Sequence, residues 1–117
     1  MKKENIVAEK SYRFAVRIVK LNRYLSVEHR EYVLGKQLLR SGTAIGALIR
    51  EAKYAQSRKD FINKMSIALK EAHETEYWID LLYDTDYLTR RMHEDIKSDI
   101  DELISLLVAI VKTSKNS

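Results

Sequence analysis

Apolar residues recur at spacings of three and four along nearly the whole chain, which is the period of amphipathic helices. Four such stretches are separated by short polar segments, and they predict helices over approximately residues 5–24, 27–55, 58–83 and 90–113. Because the connections are short, consecutive helices are expected to run in opposite directions. The predicted fold is therefore all-α, an antiparallel up-down-up-down four-helix bundle that forms a single domain over residues 1–117.

Polar side chains that favour helix starts set three of these boundaries. The hydroxyl of Ser57 can cap the free amides of the third helix, and Asp60 three residues later suits the helix dipole. Thr89 is expected to cap the fourth helix. Ser26 is expected to cap the second helix, which would end the first helix near Tyr24.

The second helix carries small residues on one side. Gly42 and Gly46 lie four residues apart, so little side chain would keep another helix away from this surface. The alternative is a phosphate-binding loop, but no strand precedes these glycines and no Gly-Lys-Ser or Gly-Lys-Thr sequence follows them. We therefore predict close helix packing here.

The fourth helix has an apolar arc of about 200°, wider than the stripe of a little over 100° that one bundle core requires. Ile104, Val108 and Val111 form a second stripe beside the core seam and are predicted to lie at an oligomer interface. A terminal helix held deeply between two neighbours would show the same pattern.

Composition supports helices and limits the chemistry. The 117 residues include three glycines, no proline and no cysteine. Long helices are favoured, and disulfide or thiolate chemistry is excluded. No apolar run approaches the length needed to cross a bilayer, so a cytoplasmic protein without a membrane partner is expected.

Charge is distributed unevenly along the chain. The net charge is +4, but residues 1–60 hold fourteen Lys and Arg against six Asp and Glu, whereas residues 61–117 hold seven against eleven. This asymmetry indicates either an acidic partner for the basic half or attraction between copies of the protein.

The basic half predicts a phosphate-binding surface centred on the first helix. Five of its cations fall within an arc of about 140° on a helical wheel. The second helix and the residues after it extend this surface. The alternatives are a solvated charged face and, near the end of the second helix, cations that stabilise the helix dipole. The candidate nucleic-acid-binding residues are Lys10, Arg13, Arg17, Lys20, Arg23, Arg40, Arg50, Lys53, Arg58 and Lys59.

The other half offers no specific reactive site. His73, Glu76 and Asp80 have helical spacing that would bind a cation weakly, but a solvated helix face is the stronger interpretation. No nucleophile can be paired with a histidine, so we predict no catalytic residue, no metal and no cofactor. Stacking of bases on aromatic residues is disfavoured here because acidic residues would repel phosphates, and core or interface packing is expected instead. These aromatic residues are Tyr77, Trp78, Tyr83 and Tyr87.

Three ordered segments carry a family resemblance. They are residues 40–52 (RSGTAIGALIREA), residues 60–62 (DFI) and residues 67–78 (IALKEAHETEYW). In these segments the chain resembles the four-helix-bundle family of 23S rRNA intervening-sequence proteins, and the likeness extends over nearly the whole sequence. That family is itself similar to the accessory variability determinant of diversity-generating retroelements.

The resemblance implies a bacterial protein that assembles into a homopentameric ring and has a nucleic-acid role, with RNA, DNA or a reverse transcriptase as partners. It implies no catalytic residue. The family tends to have serine where Ala44 stands and asparagine where Leu48 stands, so a role that depends on that asparagine does not carry over. Two hypotheses follow: a non-enzymatic, oligomeric nucleic-acid-binding bundle, or a protein-interaction scaffold without direct nucleic-acid binding.

Overall fold

The computed structural model describes residues 2–117, and their side chains from Lys3 onward. Four α-helices account for nearly all of this range, and no strand occurs within it. They are α1 (Lys2–His29), α2 (Val33–Lys53), α3 (Arg58–Asp84) and α4 (Arg90–Lys115). The all-α prediction is confirmed, and no helix in the described range is both long enough and apolar enough to cross a membrane.

Two of the three predicted caps are confirmed. The hydroxyl of Ser57 accepts a hydrogen bond from the backbone N–H of Asp60 at 3.0 Å, at the start of α3. The hydroxyl of Thr89 accepts one from the N–H of Met92 at 3.2 Å, at the start of α4. Each satisfies a backbone donor that has no partner within the helix.

The predicted cap at Ser26 is wrong. α1 continues through it to His29, and the Ser26 hydroxyl donates to the carbonyl of Asn22 within the same helix. The amides at the start of α2 are instead satisfied by Glu31, whose carboxylate accepts from Leu34 N and Gly35 N at 3.1 and 2.8 Å. The connection moves to residues 30–32 because a carboxylate that reaches two amides provides the stronger cap.

The glycines of α2 allow close approach to α1, as predicted. A methyl group at Gly42 would lie 2.9 Å from two side-chain carbons of the buried Ile18. One at Gly46 would lie 3.3 Å from the backbone carbonyl of Ser11. Along this seam the α2 backbone therefore lies close to the Ile18 side chain and to the Ser11 backbone of α1.

Each helix contacts two others. α2 packs against α1 and α3, α4 packs against α3 and α1, and no Cα atoms of the diagonal pairs come within 8 Å of each other among the described residues. The core between them is apolar apart from Ser11, Ser41 and Thr75. The hydroxyls of Ser41 and Thr75 are 3.0 Å apart and link α2 to α3, and Thr75 Oγ1 also lies 2.8 Å from the carbonyl oxygen of Glu71.

The wide apolar arc of α4 divides into two parts. Val111 is 8% exposed and belongs to the core of the subunit, so it is not available to a partner. Ile104 is half-buried against the core, and Val108 is 45% exposed. Burial within one chain therefore accounts for part of the arc, and of the three predicted interface residues Ile104 and Val108 keep apolar surface for a partner.

Candidate nucleic-acid interface

Three of the first-helix cations are engaged with carboxylates. Lys10 Nζ lies 3.1 Å from Glu102 of α4, and Arg17 pairs with Asp99 of the same helix. Arg13 pairs with Glu9 one turn away, at 2.9 Å. These exposed pairs contribute little to stability, but each carboxylate offsets positive charge that would otherwise face a polyanion.

Lys20 and Arg23 complete the predicted surface on α1. Both are exposed, and neither forms an ion pair with any residue that the structure describes. Arg13 and Arg17 are predicted contacts on the same helix. The pairing with Glu9 and Asp99 shifts the strongest positive field along α1 towards its second half.

On α2, Arg40 faces the acidic side of the bundle rather than solvent alone. It pairs with Glu74 and, at 3.3 Å, with Glu71, both on α3. Its hydrogen bond to Glu74 raises the pKa of Arg40. The hydrogen bond from the Trp78 indole, together with Arg40, lowers the pKa of Glu74. The geometry thus gives Arg40 a role in joining α2 to α3.

The cations near the end of α2 have different neighbours. The guanidinium of Arg50 lies 5.8 Å from the centre of the Tyr12 ring on α1, and the ammonium of Lys53 lies 5.9 Å from the centre of the Tyr54 ring. Both distances are within the range of cation–π attraction. Neither cation has a carboxylate partner among residues 3–117, so their charge is not offset by an ion pair.

The two remaining cations follow α2. The Arg58 side chain donates to the carbonyl of Ser114 and to the hydroxyl of Ser117, which fixes the start of α3 against the end of α4. Lys59 is exposed and forms no ion pair within the described part of the chain. The structure therefore separates the ten candidates into those used within the subunit and those that remain available.

A groove opens beside Tyr12 and Arg50. It is formed by the first half of α1, the second half of α2 and the start of α3, and its volume is about 810 Å³. Ala8, Gly46 and Ala47 are among its apolar lining residues, and Arg50 and Lys53 supply its cations. Glu4 is the one carboxylate among the described residues that line it.

A separate cluster of charged residues joins α3 to α4. Lys97 Nζ lies 2.9 Å from Asp80 and 3.2 Å from Glu76, and His93 Nε2 lies 2.9 Å from Asp80. Burial raises the pKa of Asp80, but hydrogen bonds from His93 and Lys97 outweigh it and leave that pKa below its ordinary value. For Lys97, burial lowers the pKa, and hydrogen bonds to Asp80 and Glu76 outweigh it, so the pKa is raised.

This cluster includes two of the three residues whose spacing would allow weak cation binding, Glu76 and Asp80. Glu76 and Asp80 are paired with Lys97, whose ammonium occupies the position where a cation would be attracted. No group of three or more possible metal ligands occurs among the residues that the structure describes. The arrangement connects two helices through ion pairs.

The aromatic residues of the acidic half mostly pack inward. Trp78, Tyr83 and Tyr87 are half-buried against the core, and Tyr83 stacks on His93 with ring centres 4.2 Å apart. Tyr77 differs, since it is 58% exposed. Packing was the expected role, and the positions of the first three residues agree with it.

Sequence reasoning missed the aromatic residues of the basic half. Tyr12 is 60% exposed and Tyr54 is 74% exposed. Tyr12 lies between Lys10 and Arg13 and outside the core seam of α1, which is the signal that was available. Its pairing with Arg50 was not visible, because the two residues are 38 positions apart and meet only when α1 packs on α2.

Comparison with known proteins places this arrangement in context. A family model described as 23S rRNA-intervening sequence protein matches residues 3–109. The chain is also similar to a crystal structure from Bacteroides thetaiotaomicron, described as a protein with unknown function from the S23 ribosomal protein family. The identity is 58% and the TM-score 0.93, with 94% of this chain and 98% of that chain covered. No curated protein matches the chain.

Proposed function

The chain belongs to the 23S rRNA-intervening sequence protein family, and from that premise we propose that it is a non-enzymatic, oligomeric bundle that binds nucleic acid without base specificity. Cations on α1 and α2 make the contacts, and phosphates are their targets. RNA and DNA both present the required charge. The observation that carries the proposal is that five of the ten candidate cations have neither a carboxylate partner nor a side-chain hydrogen bond among residues 3–117. These are Lys20, Arg23, Arg50, Lys53 and Lys59.

The charge pattern within the subunit supports this surface. Pairs between α1 and α4 and between α2 and α3 bring together cations of the basic half and carboxylates of the acidic half. Part of the asymmetry along the sequence is therefore balanced inside one chain. The excess that is left lies on the first two helices, where a polyanion would be attracted.

The proposal includes an antiparallel up-down-up-down topology. The contacts that support it pair residues whose numbers rise on one helix as they fall on the next. Between α1 and α2 these contacts are Ile18 with Gly42 and Ser11 with Gly46. Between α2 and α3 they are Ser41 with Thr75 and Glu51 with Lys64.

Assembly is the second part of the proposal. The resemblance stated above implies a homopentamer, and Ile104 and Val108 on α4 are the proposed contacts between subunits. A ring would repeat the cations of α1 and α2 around its axis. Several modest phosphate-binding patches on one particle bind a polyanion more tightly than one patch does, because later contacts form at a high effective concentration.

Charge reversal tests the proposed surface. The variant Lys20→Glu/Arg23→Glu is expected to lose at least tenfold in affinity for a mixed-sequence RNA or DNA at low salt, with a shallower dependence on salt. The matched control is Lys112→Glu/Lys115→Glu, which changes the net charge equally at two exposed positions of α4. Equal losses in both variants would contradict the surface, because they would show a response to net charge alone.

A protein-interaction scaffold is the second candidate. It is favoured by exposed apolar residues in and beside the α1–α2 connection, namely Val27, Tyr32 and Val33. Its partner would be a second protein, such as a reverse transcriptase, or another copy of this chain. Under this alternative the charge reversal above changes no nucleic-acid affinity, because there is none to change.

A further inference from the structure

We infer that the groove between α1 and α2 binds single-stranded nucleic acid, with a base stacked on Tyr12 and the adjoining phosphates held by Arg50 and Lys53. The inference rests on the proposed function and names the form of nucleic acid that the surface prefers. The groove requires unpaired bases, whereas the cations on the outer face of α1 would bind any polyanion.

The Tyr12 ring is placed for stacking. It is 60% exposed although it borders the groove, so most of its surface is open to solvent. The guanidinium of Arg50 lies 5.8 Å from the ring centre, and its attraction to the ring limits the orientations that the side chain adopts. A ring that is ordered before binding loses less entropy when a base stacks on it.

Charge complementarity identifies the occupant. Arg50 and Lys53 line the groove without carboxylate partners among residues 3–117, against the single carboxylate of Glu4. An aromatic face beside unpaired cations is the combination with which proteins bind single strands, since every base offers a π-face and every nucleotide carries a phosphate.

The shape of the groove favours an unpaired strand over a duplex. Bases within a duplex stack on one another and present only their edges in the grooves, so Tyr12 would have no base face to contact. Ala8, Gly46 and Ala47 make part of the groove lining apolar, and Asn5, Thr43 and Ser57 are its uncharged polar residues. Stacking on the exposed Tyr12 ring is the contact with a base that we assign to this groove.

A second exposed tyrosine extends the same surface. Tyr54 follows the lining residue Lys53, whose ammonium lies 5.9 Å from the Tyr54 ring centre. It is four positions after Arg50 and directly follows the last residue of α2. Two rings, Tyr12 and Tyr54, and two cations, Arg50 and Lys53, thus give a single-stranded nucleic acid two stacking positions and two phosphate contacts.

The test compares single-stranded with double-stranded probes by fluorescence anisotropy. The probes are an oligothymidylate of about 16 nucleotides, within the range of single-strand site sizes, and its duplex with oligodeoxyadenylate. Wild-type protein is expected to bind the single strand more tightly. Tyr12→Ala is expected to lose roughly fivefold to 150-fold in affinity for the single strand, the effect of removing one stacked base.

Two further variants separate stacking from other effects. Tyr12→Phe keeps the ring and is expected to retain the wild-type affinity. Tyr77→Ala removes a tyrosine of similar exposure from α3 and is expected to leave both affinities unchanged. Circular dichroism checks that each variant keeps its helices, which is expected because both tyrosines are mostly exposed.

The outcomes distinguish this inference from the proposed function. If Tyr12→Ala binds the single strand as well as wild type while Lys20→Glu/Arg23→Glu weakens binding, the groove is not the site and the phosphate-binding surface stands. If wild-type protein binds neither probe, both proposals are wrong. If Tyr12→Ala lowers the mass of the particle without changing affinity, a second copy of the chain occupies the groove, and the inference is overturned.

Discussion

Arg17 of α1 and Asp99 of α4 form an ion pair that crosses from the basic half of the chain to the acidic half. Two turns earlier on α1, Lys10 forms a second such pair with Glu102. Two carboxylates of α4 thus lie against cations that a polyanion would otherwise contact. These carboxylates lower the positive potential of α1. Substituting them would therefore raise that potential without altering any cation.

Neutralising these two carboxylates should strengthen polyanion binding. We expect Asp99→Asn/Glu102→Gln to raise the affinity for mixed-sequence RNA or DNA, and to steepen its salt dependence by up to about two phosphate contacts. The control Asp95→Asn/Asp101→Asn removes the same charge from exposed positions of α4 that form no ion pair with the described residues. Anisotropy titrations at several salt concentrations measure both, and an equal gain in the two variants would contradict the account.

Packing at Gly42 should be intolerant of a methyl group. Gly42→Ala gains about 1 kcal/mol of helix propensity, but its methyl group would meet carbons of Ile18 that are close to the backbone and cannot swing away. Overpacking of this kind costs about 1–3 kcal/mol, so we expect net destabilisation in urea unfolding. In an Ile18→Ala background the same change should become stabilising, since the new methyl group fills part of the cavity. Equal effects in the two backgrounds would show that Ile18 is not the obstacle.

The buried hydroxyls of Ser41 and Thr75 should respond unequally to removal. Thr75→Val leaves Ser41 with only a carbonyl 3.5 Å away, that of Leu38, and should cost about 1–2 kcal/mol. Ser41→Ala should cost less, because Thr75 keeps the carbonyl of Glu71 at 2.8 Å. The double variant should cost less than the sum of the two single variants. Urea unfolding of all four proteins measures this coupling, and additive effects would contradict the hydrogen bond.

Acid should weaken the connection between α3 and α4. The pKa of Asp80 is below its ordinary value in the folded protein, so the unfolded chain binds more protons as the pH falls. The stabilisation is complete above the unfolded pKa, near pH 4, and is lost as the pH falls through the folded pKa. The free energy of unfolding should therefore drop less steeply in Asp80→Asn than in wild type as the pH falls from about 5 towards about 2.

The control for the acid experiment is Asp101→Asn. Asp101 is exposed on α4 and has no ion pair within residues 3–117. This variant should follow the wild-type pH dependence when unfolding is monitored by circular dichroism. A wild-type slope in Asp80→Asn would mean that the cluster around Lys97 makes no contribution to stability in acid.

Much of the fold could be predicted because its determinants are local. The caps at Ser57 and Thr89 each act on the amide three residues away, and the apolar seams follow from helical period alone. Ser26 misled because serine caps helices and also bonds back within them, and no local rule ranks it against Glu31. The choice depends on where α2 meets α1, where the Asn22 side chain bonds to the carbonyl of Gly35.

The candidate site was harder to predict because its properties arise between helices. The cations of α1 could be identified from their spacing, but their pairing with Asp99 and Glu102 requires α4 to lie beside α1. The contact of Tyr12 with Arg50 likewise requires the close approach that Gly46 permits. Which charges remain free is therefore a result of packing.

Light scattering of the purified protein, with and without mixed-sequence RNA and DNA at low and moderate salt, tests the central claim most directly. The account predicts an oligomer whose mass rises when either nucleic acid is added and falls back as salt is raised, because salt weakens phosphate contacts. A particle with the mass of a single chain that responds to neither nucleic acid would contradict it.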